Sequence, residues 1–252
     1  MQSRPHLSLV IPVFNEERCI QANLQTVLTY LDTQPYPAEL IAVDDGSHDR
    51  SADMITIVAD THPNVRLIRN EHRGKAYAVR TGVLAASGDY IVFTDADLAT
   101  PIHQLDKLLA ALDMGNDVAI GSREGYGARR LGEPWTRHFM GRVFNLAVRL
   151  LLMGQHKDTQ CGFKGFTRQA AQDIFNSVRL YGPDAAILTA PAVTGFDVEL
   201  LYLAHRKGYR VTEIPVEWHY GPGSKVNPLR DSWRNFKDVL RVRLYALRGF
   251  YG

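Results

Sequence analysis

Three short apolar runs, Leu7-Ser8-Leu9-Val10-Ile11, Leu40-Ile41-Ala42-Val43 and Asp89-Tyr90-Ile91-Val92-Phe93-Thr94, each pass into a polar or acidic segment and then into a helical pattern. Parallel strands need a crossover helix and are buried on both faces, so this alternation calls for βαβ units and a parallel sheet. Helical spacing is explicit in Ile20, Leu24, Val27, Leu28 and Leu31, and returns in Ala52, Ile55, Val58 and Ala59 after a cap near Ser47 or Asp49. Residues 65–69 read as a further strand and 74–86 as a helix. Thr100 is expected to cap a helix with Pro101 at its first position and Ile102, Leu105, Leu108, Leu109 and Leu112 inward, before a strand over 117–121. With 252 residues, 45% of them hydrophobic and 22% charged, the chain can bury one large α/β core, and a single domain over 1–252 is the simplest organisation.

The second half is less regular. Residues 123–134 form a glycine-rich basic segment without apolar periodicity, of the kind that serves function. Thr136 opens a helix with Phe139, Val143, Leu146, Ala147 and Leu150 on one face. A polar loop over 155–165, a short helix over 167–175 and an irregular stretch over 181–194 follow, then a helix over 196–207 that Gly208 stops. Residues 210–219 read as an edge strand interrupted at Pro215, with Ile214, Val216 and Trp218 on one side. At the end, Trp233, Phe236, Leu240, Leu244, Leu247 and Tyr251 recur at helical spacing, while Arg234, Lys237, Arg241, Arg243 and Arg248 occupy other faces. Such a helix either packs on the domain with its basic face solvated or lies on an anionic membrane surface.

Composition removes several function classes. A net charge of +2, from 29 basic and 27 acidic residues, gives no general field for nucleic acid. Cys19 and Cys161 are the two cysteines, which provide neither a disulfide framework nor zinc spacing and fit a reducing cytoplasm. The nine histidines show no HExxH spacing. Arg69 stands where a Walker A loop ending at Gly74-Lys75 needs glycine, and no GxGxxG follows a strand. No signal peptide opens the sequence, and the apolar segment 139–153 carries Arg142 and Arg149, short of the ~20 apolar residues a span requires. Membrane contact, if any, is therefore expected to be peripheral, with no transmembrane helix.

Chemistry concentrates where strands end. Asp95-Ala96-Asp97 closes one strand, Asp44-Asp45-Gly46-Ser47 with Asp49 closes a second, and Pro12-Val13-Phe14-Asn15-Glu16-Glu17 a third. Two carboxylates one residue apart suit a divalent cation that carries phosphates, although an Asp pair after a strand also serves as a turn or N-cap. In an open parallel sheet, ligands bind outside the carboxyl ends of the strands, which is where these groups collect.

Taken with Asn70 to Gly82, Gly121-Ser122-Arg123, Asp158-Thr159-Gln160-Cys161-Gly162-Phe163-Lys164 and Gly223-Ser224-Lys225, the ordered set resembles inverting glycosyltransferases of GT-A fold. Within these it is most similar to the dolichyl-phosphate and polyprenyl-phosphate glycosyltransferases, and closer to the glucosyl than the mannosyl type. The resemblance implies an α/β, Rossmann-like fold with a mostly parallel central sheet flanked by helices. Residues 1–122 would form the nucleotide-sugar half, 123–228 the acceptor side, and 229–252 the basic amphipathic helix. It further implies donor contacts from Pro12, Phe14, Glu16, Asp44, Asp45, Gly74, Lys75, Asp95, Ala96 and Lys225. Asp95 and Asp97 would hold Mg²⁺ or Mn²⁺, and Asp97, Arg123, Arg137 and Asp158 would serve catalysis and the acceptor phosphate. Asp44 suits the N–H on a base's pairing edge, which uracil and guanine share. Asp158 orients the acceptor, acts as a base or stabilises its loop. Asp197 and Glu199, about 200° apart on one helix, do not act as a pair, and Glu199 is expected to meet a basic group in the core. Two departures stand out: Ala99 occupies the place where mannosyl-type relatives carry a metal-binding Gln, and no arginine shortly precedes Lys225. The implied activity is transfer of a hexose, expected to be glucose from UDP-glucose, to polyprenyl or dolichyl phosphate at the cytoplasmic membrane face. The alternatives are a polysaccharide or soluble acceptor, or a silent nucleotide-sugar-binding protein.

Overall fold

A computed structural model describes residues 4–132, 156–188, 195–221 and 228–251, the side chains of 228–232 excepted. The helix expected from Thr136, together with Arg137 and Lys225, lies outside the described residues. The first half is built from β1 (Leu7–Val13), α1 (Ile20–Asp32), β2 (Ala38–Asp44), α2 (Ser51–Thr61), β3 (Val65–Arg69), α3 (Lys75–Ala85) and β4 (Tyr90–Phe93). A 3₁₀ turn, Ile102–Gln104, leads into α4 (Leu105–Asp113), followed by β5 (Val118–Ser122) and β6 (Arg129–Leu131). Beyond residue 155 come β7 (Lys164–Thr167), α5 (Arg168–Ser177), α6 (Phe196–Arg206), β8 (Val211–Pro215), β9 (Glu217–His219) and α7 (Pro228–Leu247).

Seven strands form one sheet in the order β3-β2-β1-β4-β7-β5-β8, with β7 antiparallel to both neighbours and the other pairs parallel. Strand order reverses between β1 and β4, which opens a crevice at their carboxyl ends. Because side chains alternate along a strand, Leu7, Leu9, Ile11 and Val13 enter the core under α1 and α4, whereas Val10 joins the core under α3. Each fully buried leucine here contributes about 1.5–3 kcal/mol relative to exposure. Helix α3 comes unusually close to β1 and β2, because a Cβ on Gly82 would stand 2.4 Å from Val10 Cγ1. That approach sets the height of Lys75, at the start of α3, above the strand ends.

Three elements depart from the sequence expectation. Residues 164–167 form a strand rather than the end of a polar loop: Phe166 pairs with Ile91 on one side and Val118 on the other, so the neighbours create β7 where the local pattern is weak. Thr100 makes no side-chain cap, and the first turn after Pro101 is 3₁₀, although the five apolar positions named above are all buried. The edge strand is interrupted after Pro215 as expected, but its two pieces join different sheets: β8 pairs with β5, while β9 pairs with β6 in a separate two-stranded sheet.

Helix α7 packs on the domain through an unexpected face. Asn235, Asp238, Val239 and Val242 are buried, whereas Trp233 is 60% exposed and Leu247 72%, with Leu240 and Leu244 also in solvent. Polar anchors explain the choice. Asp238 accepts hydrogen bonds from the Tyr181 hydroxyl (2.7 Å) and the Gly195 N–H (2.9 Å), and Tyr251 donates to Glu199 at 2.7 Å. Glu199 thus meets a hydroxyl and the backbone N–H groups of Arg179 and Leu180, not a basic group. No helix among the described residues is long and apolar enough to cross a membrane.

Candidate active site

The loops after β1 and β2 are laced together. Asn15, in the left-handed region at φ 54°, receives its geometry from Ser47 Oγ, which accepts the Asn15 N–H at 2.9 Å, and from the His48 N–H, which donates to Asn15 Oδ1 at 2.8 Å. Ser51 Oγ accepts the Glu16 N–H (2.8 Å), and Asp45 N–H donates to Val13 O (2.8 Å). These bonds fix Pro12, Phe14, Glu16 and Asp44 along one rim. Asp44 is only 4% exposed; its Oδ2 accepts the Ser47 N–H at 3.3 Å, and its buried Oδ1 has no hydrogen-bond partner among the described residues. A buried acceptor left unmatched is costly, so Oδ1 is a place for a ligand N–H.

Asp45 faces the other way. It accepts from His72 Nδ1 (2.7 Å), Arg73 N–H (3.0 Å) and Gly74 N–H (2.8 Å), and so shapes the loop that launches α3. Burial raises its pKa while those donors oppose the rise. His72, which sequence reasoning missed, stacks on Phe14 with ring centroids 3.9 Å apart and 9° between planes. Its Nε2 is the second buried atom at this rim without a hydrogen-bond partner among the described residues. No spacing rule marks it; the clue was its place immediately after β3, in the run Asn70 to Lys75. Phe14 is half-buried, so it serves packing through His72 and still borders the rim.

The Asp95-Ala96-Asp97 segment leaves β4 beside this rim. Asn23 Nδ2 donates to Ala96 O at 2.8 Å and Ala99 N–H to Asp97 Oδ1 at 3.1 Å, with Leu98 at φ 50° completing the tight turn. Lys75 forms an ion pair with Asp95. On its other side Asp95 rests against Gly162, where a Cβ would stand 2.3 Å from Asp95 Oδ2. Gly162 is therefore a cradle that only a missing side chain provides. Partial desolvation and the neighbouring Asp95 raise the Asp97 carboxyl above its ordinary value, with Glu16 adding to the push. Lys75 is held charged: burial works against it, and the carboxylates of Asp95, Asp197 and Asp97 outweigh that. Two hard oxygen donors fit part of a Mg²⁺ or Mn²⁺ shell, and no cluster of three His, Cys, Asp or Glu side chains occurs among the described residues. Donor phosphates and water would complete such a shell.

Between the loops after β5 and before β7, Asp158 is fully buried and gripped by Arg123: Nε donates at 2.7 Å, Nη2 at 2.9 Å and the backbone N–H at 2.9 Å. Burial alone would raise the Asp158 pKa, but the guanidinium and these donors hold it far below the carboxylate range. A carboxylate so stabilised is a poor proton acceptor, and its geometry is that of a positioning residue for Arg123, which also lies over Trp218 at 5.3 Å. Glu213 fixes the same loop by accepting the N–H groups of Lys157 (2.9 Å) and Asp158 (2.8 Å). Lys164 is buried on β7 and pairs with Asp197 at 2.5 Å. The structure thus brings Asp44, Lys75, Asp95 and Asp97 to the carboxyl edge of the sheet, while Arg123 and Asp158 pair on the loops after β5 and before β7.

Residues 8–175 match Glycosyl transferase family 2. The chain belongs to that family. It is 31% identical to a dolichyl-phosphate beta-glucosyltransferase of Dictyostelium discoideum, covering 98% of this chain and 76% of that one. The dolichyl-phosphate beta-glucosyltransferase of Drosophila melanogaster is 34% identical over 96% of this chain and 76% of its own, and that of Saccharomyces cerevisiae 33% over 97% and 76%. Among solved structures, glucosyl-3-phosphoglycerate synthase of Mycobacterium tuberculosis, in complex with Mn²⁺, UDP-glucose and phosphoglyceric acid, superposes with a TM-score of 0.65. It shares 19% identity over 97% of this chain and 80% of that one. A Pyrobaculum calidifontis mannosyltransferase in complex with GDP-mannose and Mn²⁺ gives 0.59 at 22% identity, over 98% and 65%. These likenesses establish the GT-A fold of this glycosyltransferase.

Proposed function

We infer that this glycosyltransferase transfers glucose from UDP-glucose to a polyprenyl phosphate of the dolichyl type, with inversion, at a membrane surface. The observation that carries the reading is the sheet edge itself: an unmatched, buried Asp44 oxygen stands on the same rim as Lys75 and the Asp95/Asp97 carboxylates. That arrangement suits a ligand with a base N–H at one end and a diphosphate at the other, and the curated relatives bear the name dolichyl-phosphate beta-glucosyltransferase.

The assigned roles follow from this chemistry. Asp44 accepts the base N–H, with Pro12, Phe14, Glu16 and Ala96 lining the donor and Asp45 and Gly74 holding the loop that presents Lys75. A divalent cation held by Asp95, Asp97 and the donor would neutralise charge gathering on the departing diphosphate. Lys75 adds a positive charge on the same side, and Lys225 is assigned to donor closure. The acceptor phosphate oxygen, already ionised near neutral pH, attacks the anomeric carbon from the face opposite the diphosphate; the bond to the β-phosphate oxygen breaks, and its electron pair leaves with UDP. No general base is required, so positioning and charge complementarity carry the catalysis. Arg123, held by Asp158, and Arg137 supply the cationic acceptor side.

The test is to incubate purified protein with UDP- and GDP-sugars, a short polyprenyl phosphate and Mg²⁺ or Mn²⁺, and to measure nucleotide release and the anomeric configuration of the product. β-Glucosyl polyprenyl phosphate formed from UDP-glucose is expected. Transfer only to a soluble acceptor, or release from GDP-sugars alone, overturns the reading.

A further inference from the structure

Helix α7 and the chain after it expose an apolar stripe to solvent: Trp233, Leu240, Leu244, Leu247 and Phe250. This is the face that amphipathic spacing would normally bury, yet the domain packs against Asn235, Asp238, Val239 and Val242 instead. Around the stripe, residues 233–251 carry five cations, Arg234, Lys237, Arg241, Arg243 and Arg248, and one carboxylate, Asp238, which is buried and already bonded to Tyr181 and Gly195. Between α7 and the domain lies a groove of about 360 Å³ lined by Tyr181, Trp233, Arg234, Lys237, Asp238 and Arg241. Lys237 lies over the Trp233 ring at 5.5 Å, and Arg241 reaches Asp238 at 3.6 Å.

We propose that α7 is the membrane-docking surface of this protein, its apolar stripe seated at the acyl boundary of an anionic bilayer and its groove receiving the phosphate of a lipid headgroup. This rests on the acceptor reading above and deepens it by naming the surface that brings the chain to a lipid. Exposed tryptophan and leucine beside arginine and lysine is the composition of a helix lying in the interface, where apolar burial and attraction to anionic headgroups act together. The excess of cations selects the occupant: a second copy of this chain would set like charges against each other. Docking is tied to the site, because Asp238 holds the Gly195 N–H just before α6, and Asp197, two residues on, pairs with Lys164 of β7, which lies opposite Phe93 at the end of β4.

The experiment is flotation of the full chain with vesicles of phosphatidylcholine alone or mixed with phosphatidylglycerol, at low and raised salt. Four proteins are compared: wild type, Leu244→Glu/Leu247→Glu, Arg234→Gln/Lys237→Gln, and an exposed control, Asp53→Asn, on α2. Lys237, Leu244 and Leu247 are exposed and Arg234 is half-buried in the groove, with none of them in the core, so nearly unchanged circular dichroism and melting temperature are expected of each variant. Wild type and the control should bind the anionic vesicles and release at raised salt, and each α7 pair of changes should weaken partitioning roughly tenfold or more. Equal binding of all variants overturns the proposal, as does equal, salt-independent binding to phosphatidylcholine alone. So does a dimer in light scattering that Leu244→Glu/Leu247→Glu converts to monomer, which would make a second copy the occupant. Vesicle binding without sugar transfer would sink the acceptor reading and leave the docking surface standing; transfer to a short, soluble polyprenyl phosphate without vesicle binding would do the reverse.

Discussion

Replacing Arg123 with Met should reveal that its first duty is to Asp158. Asp158 is fully buried and Arg123 largely so, and the two share a bidentate bond of 2.7 and 2.9 Å. Removing one partner of such a pair costs about 3–5 kcal/mol, because it leaves an uncompensated buried charge. Here the Arg123 and Gln160 backbone N–H groups remain as donors, so the lower end, about 3 kcal/mol, is expected near neutral pH. The pH dependence fixes the cause. In wild type the folded pKa of Asp158 lies below its unfolded value, so its stabilisation is complete above the ordinary carboxylate range and is lost as pH falls through that range toward the folded pKa. Without the guanidinium, burial dominates and the carboxyl pKa rises. The variant's deficit should then be largest near pH 7 and shrink toward pH 5 as Asp158 takes up a proton. Urea unfolding at the two pH values measures this, and the double variant Arg123→Met/Asp158→Asn should recover most of the loss. A deficit below ~1 kcal/mol, or one of the same size at both pH values, would refute the assignment of Asp158 as the buried anchor of Arg123.

Other outcomes follow from the donor side. Gly162→Ala places a methyl group 2.3 Å from Asp95 Oδ2, so Mn²⁺ and UDP affinity measured by calorimetry should fall together, roughly tenfold or more, and unchanged affinity would remove Gly162 as the cradle. Lys75→Met takes away the counterion that occupies Asp95, so Mn²⁺ should bind the donor-free protein more tightly while UDP binds more weakly; weaker binding of both would mean that Lys75 supports the carboxylate pair rather than competing for it. Asp44→Asn should weaken UDP binding by about 1–3 kcal/mol and leave the melting temperature nearly unchanged, since Asn keeps an oxygen to accept the Ser47 N–H.

The strand ends were readable because each signal was local and repeated: an apolar run, then carboxylates, with Leu24, Val27, Leu28 and Leu31 under the sheet as their spacing required. What the sequence could not show were relations set by distant neighbours. Strand β7 exists because Ile91 and Val118 both pair with Phe166, and no pattern within 164–167 announces it. Asp44 and Asp45 are adjacent carboxylates with opposite assignments, one presenting an unmatched oxygen to the rim and the other consumed by His72 and the loop before α3; only tertiary geometry separates them. Helix α7 is the sharpest case. Its periodicity located the helix correctly, but an apolar stripe says only that some low-dielectric surface awaits it. Tyr181 and Gly195 hold the opposite side through hydrogen bonds to Asp238, while Tyr251, at the end of the stripe, turns in to pack on the core and bond Glu199. The stripe is consequently turned outward, and a segment that reads as core in one dimension becomes an outward-facing surface in three.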